Sequence, residues 1–208
     1  MVGGFIHLAG AGLAVAVLVV LIVFGASRGG TAWHIVGYTL YGSGLVLLYT
    51  ASASYHLVPD TWSRLKSVTQ KLDHAMIYVL IAATYTPVTF IVLDGVWRWS
   101  MFGVVWFLAI VGTSIKFFKP NAPHFISVVL YIVMGWLAVL PLSSLIANMS
   151  TAALWLLVSG GLFYTLGVIF FVLEKFLIQR KYFWMHEIFH VFVLGGSVSH
   201  TIMMFLIV

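Results

Sequence analysis

Two histidines one helical turn apart, in His186-Glu187-Ile188-Phe189-His190, open the last apolar stretch of the chain. On an α-helix, residues i and i+4 lie about 40° apart on one face, so both imidazoles can reach a single ion. Ionisable side chains inside a membrane segment are costly and mark functional sites. A two-histidine metal half-site is therefore the leading expectation, and its completion must come from elsewhere. One candidate source is Ser52-Ala53-Ser54-Tyr55-His56, at the end of an earlier apolar stretch; another is Lys71-Leu72-Asp73-His74, at the start of the next. Three neutral imidazoles and one water make a known catalytic zinc arrangement, and a carboxylate beside that water orients it or takes its proton. Ser52 lies one turn from His56 on the same face, placed for a supporting hydrogen bond or a substrate contact. The chain has no cysteine, so any metal must bind through histidine, carboxylate or water.

The elements that position these groups follow from composition. Of 208 residues, 62% are hydrophobic and only 7% charged, which excludes an ordinary soluble domain and indicates a polytopic membrane protein. The net charge of +5 is read through its placement in connections, not as a nucleic-acid signal. Breaks in hydropathy divide the chain into seven apolar stretches, each long enough to cross ~30 Å of hydrocarbon. They cover 3–26, 33–57, 68–93, 98–118, 124–147, 151–175 and 184–207. The expected fold is an all-α seven-transmembrane bundle forming a single domain over 1–208. Pro87 is expected to kink the third span and Pro141 the far end of the fifth. Eight Trp and nine Tyr suit interfacial belts. The first stretch is too long for a signal peptide and is read as the first span.

Basic residues set the expected orientation. Arg64, Lys66 and Lys71 fall at the second connection, Lys116 and Lys119 at the fourth, and Lys175, Arg180 and Lys181 at the sixth; the opposite side has only Arg28 and Arg98. This bias places the N-terminus in the cytoplasm and the C-terminus outside. His56, Asp73, His186 and His190 then share one depth, near the inner leaflet, in a multi-pass protein of the cell's inner (plasma) membrane. His200 lies ten residues beyond His190, ~15 Å along the helix axis, too far for the same ion. His7 is expected to hydrogen-bond within the bundle, His34 and His124 to sit at interfaces, and His74 to point away from Asp73.

His-Glu-x-x-His is also a zinc-protease signature, with the glutamate as general base. Leu93-Asp94-Gly95 would be its distal partner. That partner precedes the histidines instead of following them, and the orientation places it a membrane thickness away. Glu187 is read instead as a polar residue favoured near a helix N-terminus.

Ser-x-x-x-His, Lys-Leu-Asp and His-x-x-x-His, each at a span end, resemble the bacterial hemolysin III family, related to the adiponectin and progestin receptors and distantly to alkaline ceramidases. The resemblance implies a zinc ion held by His56, His186 and His190, with Asp73 near its water and Ser52 beside it. It further implies lipid amide or ester hydrolysis of the ceramidase type, a ceramide- or fatty-acyl-like substrate among membrane lipids, and a link to membrane lipid homeostasis. Two alternatives stay open: a membrane-state sensor whose zinc is structural, with Asp73 closing a four-ligand shell, and a cytolytic pore. No polar stripe runs through the spans to line a channel.

Overall fold

The computed structural model describes residues 2–119, 122–174, 176 and 184–207. The sixth-connection residues Lys175, Gln179, Arg180 and Lys181, and Pro120 and Asn121 of the fourth, lie outside the described residues. Among the described residues every regular element is helical: α1 (Val2–Ser27), α2 (Ala32–Leu57), α3 (Ser63–Pro87), α4 (Gly95–Phe118), α5 (His124–Trp136), α6 (Leu142–Asn148), α7 (Thr151–Leu173) and α8 (Met185–Met204). Among the described residues, six stretches are long and apolar enough to cross a membrane; α5 and α6, bent by 53° at their break, make a seventh if counted as one span.

Local chemistry sets the boundaries. Past α1, Gly29 turns left-handed (φ 75°), and the Gly30 amide donates back to the Gly25 carbonyl at 2.9 Å, closing the helix end. Thr31 then opens α2, its amide donating to His34 Nδ1 at 3.1 Å, so His34 serves as a cap. Pro87 does bend the rules of the third span. A π-helical turn, Val88–Val92, follows it, and the Leu93 amide reaches the Val88 carbonyl at 3.3 Å. Hydroxyls of Thr86 and Thr89 donate to the Ala82 and Thr86 carbonyls around the proline. Pro141 marks a full break: a 3-10 turn, Leu137–Val139, precedes it and α6 restarts after it.

α3 begins at Ser63, more than a turn before the expected residue 68. Its first turns, Ser63-Arg64-Leu65-Lys66, are too polar to register in hydropathy, yet they hold good helix formers. Arg64, Lys66 and Lys71 therefore sit on a helix and not in a connection. Lys66 Nζ donates to the Tyr55 and Val58 carbonyls at 2.9 and 3.1 Å, stapling the α2–α3 turn beside His56.

Small residues let the helices close on one another. A Cβ at Gly42 would strike Leu18 on α1, one at Gly44 would strike Ala83 on α3, and one at Gly112 would strike Tyr78. Tyrosines supply polar glue around α8. Tyr49 donates to Ser197 Oγ at 2.7 Å, Tyr164 pairs with the same oxygen at 2.9 Å, and Tyr41 donates to the Ser197 carbonyl at 3.2 Å. With Tyr38 donating to the Met204 carbonyl at 2.8 Å, α2 and α7 are pinned to α8 in one register. That register sets the height of His190, two turns below Ser197 on the same helix. The outward faces remain apolar, with Leu13, Val19 and Val23 of α1 and Phe107 and Ile110 of α4 all exposed.

Candidate metal centre

The last turn of α2 and the first turns of α8 bring His56, His186 and His190 together. One ligand atom from each lies within 4.8 Å of the others, a grouping that could hold a metal ion. His56 Nε2 and His186 Nε2 are 3.1 Å apart. The ring centroids are 4.8 Å (His56–His186), 4.8 Å (His56–His190) and 4.6 Å (His186–His190) apart. Two nitrogens on a tetrahedral ion at 2.0–2.1 Å would lie about 3.3 Å apart; the His56–His186 pair matches that spacing, and the His190 nitrogen lies within 4.8 Å of both. Neutral nitrogen donors at this spacing suit zinc and other first-row metals, and the donor set fits the group the sequence implies.

Glu174, which caps α7, adds a partner that sequence reasoning missed. Its Oε2 lies 2.9 Å from His186 Nδ1. A carboxylate there accepts a hydrogen bond from Nδ1–H, which keeps the proton on Nδ1 and leaves the Nε2 lone pair facing His56, as carboxylate–histidine–metal arrangements do. The available signal was scarcity: the chain has five acidic residues, and Glu174 stands at a span end. Glu187, by contrast, turns back to accept from the Trp184 amide at 2.9 Å and caps α8. Asp94 caps α4 and pairs with Arg98, far out on the surface (side chain 83% exposed).

Asp73 and Ser52 are both buried. Ser52 and Asp73 line the same cavity. Asp73 is not a member of the three-histidine group. It borders a cavity of about 210 Å³, whose near end also carries Ser52, His186 and His7. From there the cavity runs between α3, α5, α7 and α8, past apolar walls such as Ile77, Leu80, Val139 and Val168.

The remaining histidines take other work. His200 lines the distant part of the cavity, and its Nε2 lies 3.2 Å from the Leu157 carbonyl, tying α8 to α7. His74 offers its carbonyl to the Tyr131 hydroxyl at 2.8 Å, and its ring meets His124 edge-on, 6.2 Å between centroids. His7 departs from expectation. Neither of its ring nitrogens makes a hydrogen bond; the ring is stacked on His190 at 3.8 Å, 27° from parallel.

Comparison with known proteins places the chain among its relatives. The family model described as "Haemolysin-III related" matches residues 1–201. The chain is 38% identical to a hemolysin-3 homolog of Bacillus subtilis (strain 168) over 193 residues, 93% of this chain and 86% of the relative. It is 38% identical to a hemolysin-3 of Bacillus cereus over 191 residues, 92% of this chain and 83% of that one. A more distant likeness, 29% over 171 residues, links it to the human monocyte to macrophage differentiation factor, across 81% of this chain and 68% of that protein. A match over nearly the whole chain, with identity well above 30% to two Bacillus proteins, places it in the haemolysin-III related family.

Proposed function

We propose that this chain is a zinc-dependent hydrolase of a lipid amide or ester, reached from the inner leaflet of the plasma membrane and serving membrane lipid homeostasis. The observation that carries the reading is the place of Asp73: outside the three-histidine group, yet lining the same apolar cavity as His186. A structural centre would enlist the carboxylate as a fourth ligand; a hydrolytic one keeps it free for a proton.

His56, His186 and His190 hold the ion, and Glu174 orients His186. Zinc bound there would acidify water and polarise a carbonyl. Asp73 takes the proton from the attacking water and returns it to the leaving amine or alkoxide. Ser52 holds the Asp73 carboxyl in line through its hydroxyl. The cavity walls accept an acyl chain and exclude bulk water from the carbonyl. Reading α5 and α6 as one span gives seven, with the termini on opposite sides, and the bias of basic residues supports a cytoplasmic N-terminus and an outer C-terminus. Eight of the ten basic residues then fall on the inner side.

Hydrolysis of a panel of ceramides and acyl esters by the purified chain tests this, with Asp73→Ala alongside. Metal-dependent release of fatty acid by the wild type, lost in Asp73→Ala, is expected. Equal rates for the two proteins would remove Asp73 from the chemistry. The names of the Bacillus relatives favour a second reading, membrane lysis. The apolar walls of the cavity offer no conducting path, so release of dye from protein-loaded liposomes would be needed to support it.

A further inference from the structure

We propose that the first turns of α1 are part of the metal centre: His7 and Gly3 hold the His190 ring in its ligating orientation. The proposal rests on the reading of the three histidines as a metal site. A ligating histidine is ordinarily oriented by a hydrogen bond to its second nitrogen. His186 has that bond, from Glu174. On His190 the second nitrogen, Nδ1, is buried with no well-aligned hydrogen bond, and the backbone of Gly3 lies against it. The orientation must therefore come from α1, through that backbone and the ring of His7.

Gly3, His7 and Gly10 recur at i, i+4 and i+7, so they share one face of α1. A Cβ at Gly3 would lie 2.6 Å from His190 Nδ1, so only glycine lets the helix backbone close on that edge of the ring. One turn on, His7 covers the flat face of His190. Behind His7 stands Tyr49, edge-on at 5.1 Å and fixed by its hydroxyl to Ser197. Gly10 in turn makes room for Tyr49, whose ring lies 3.0 Å from where a Cβ would be. The neighbouring Gly4 does the same for α2, with a Cβ position 3.1 Å from His56 Cβ. One end of α1 thus closes on two of the three ligands, which come from different helices. Near-parallel stacking of His7 on His190 orients the ring but does not aim both rings at one ion, so His7 is a positioning residue and not a fourth ligand.

The test is Co²⁺ affinity of the purified full-length chain, measured by chelator competition, with the visible ligand-field spectrum recorded on each protein. The variants are His7→Ala, His7→Phe, Gly3→Ala and, as a control on the same helix, Gly12→Ala, whose added methyl meets nothing within 4 Å. His7→Ala and Gly3→Ala are expected to weaken Co²⁺ binding by about 10–100-fold, the range typical when a ligand loses its orienting partner. His7→Phe, which keeps the stacked ring, should stay within about threefold of wild type with an unchanged spectrum, as should Gly12→Ala. Wild-type affinity in His7→Ala would overturn the proposal. So would a His7→Phe protein as weak as His7→Ala with an altered spectrum, since His7 would then be a ligand. Failure of the wild type to bind Co²⁺ would remove the metal centre itself and the clamp with it.

Discussion

On one flank of the bundle, α1, α2 and α8 meet through glycine contacts, stacked rings and tyrosine hydroxyls, and the three candidate ligands sit in that flank. On the other, α5 meets α3 through Tyr131 and Met134, which pack with Tyr78 and Ala82, and the hydrogen bonds that join it to its neighbours are few: Tyr131 to the His74 carbonyl and Tyr85 to the Gly135 carbonyl towards α3, and Trp136 to Thr165 towards α7. The cavity extends to this second side, where Gly135, Val139 and Leu142 line it on either side of the break at Pro141. The contrast would separate two needs of the proposed lipid hydrolase. Ligands must be held to within a few tenths of an ångström, which dense packing with locked rotamers provides. A long apolar substrate must enter sideways from the bilayer, which a loosely joined helix permits.

Perturbing each flank should therefore have different consequences. The largest effect is expected at the junction of the two. Asp73→Asn should retain bound zinc while lowering lipid hydrolysis by about 10²–10⁴-fold, the usual contribution of a general base. Zinc analysis and a fatty-acid release assay on the same preparation check this; loss of the metal would make Asp73 a ligand. Next, on the packed flank, His190→Ala should weaken zinc by about 100-fold or more, a one-ligand share of the ~10–16 kcal/mol that structural zinc sites hold. Glu174→Gln should cost less, about 10–100-fold in zinc affinity, because the neutral amide oxygen still accepts the hydrogen bond from His186 Nδ1–H but no longer supplies the negative charge that makes the ring a stronger donor to the metal. Isothermal titration against a competing chelator would rank the two, and the reverse order would contradict the assigned roles. The smallest effect is expected on the open flank. Gly161 lines the cavity and an added Cβ there meets nothing within 4 Å. Gly161→Leu should leave zinc content unchanged and slow long-chain substrates severalfold relative to short-chain ones. Equal slowing for every chain length would mean that the cavity does not hold the acyl group.

How much of this was legible in the sequence follows the same division. His186 and His190 were readable because helical periodicity alone puts i and i+4 on one face, and His56 and Asp73 joined them through the charge bias of the connections. The helical class and the breaks at Pro87 and Pro141 followed from hydropathy and proline chemistry. Glu174 escaped because its contact with His186 spans the connection between α7 and α8, and hydropathy says nothing about how a polar span end folds back. His7 escaped for a related reason. It lies on a helix so uniformly apolar that no face of α1 is marked as inward, and only the positions of Gly3 and Gly10 record that side. The early start of α3 was hidden by a scale that measures burial in lipid and not helix formation.

The most direct test of the central claim is the metal content of the chain purified without chelators, measured beside His56→Ala. The account predicts about one zinc per wild-type chain, the occupancy of a three-histidine centre, and little or none in the variant. Wild-type protein carrying less than about a tenth of an equivalent would contradict it.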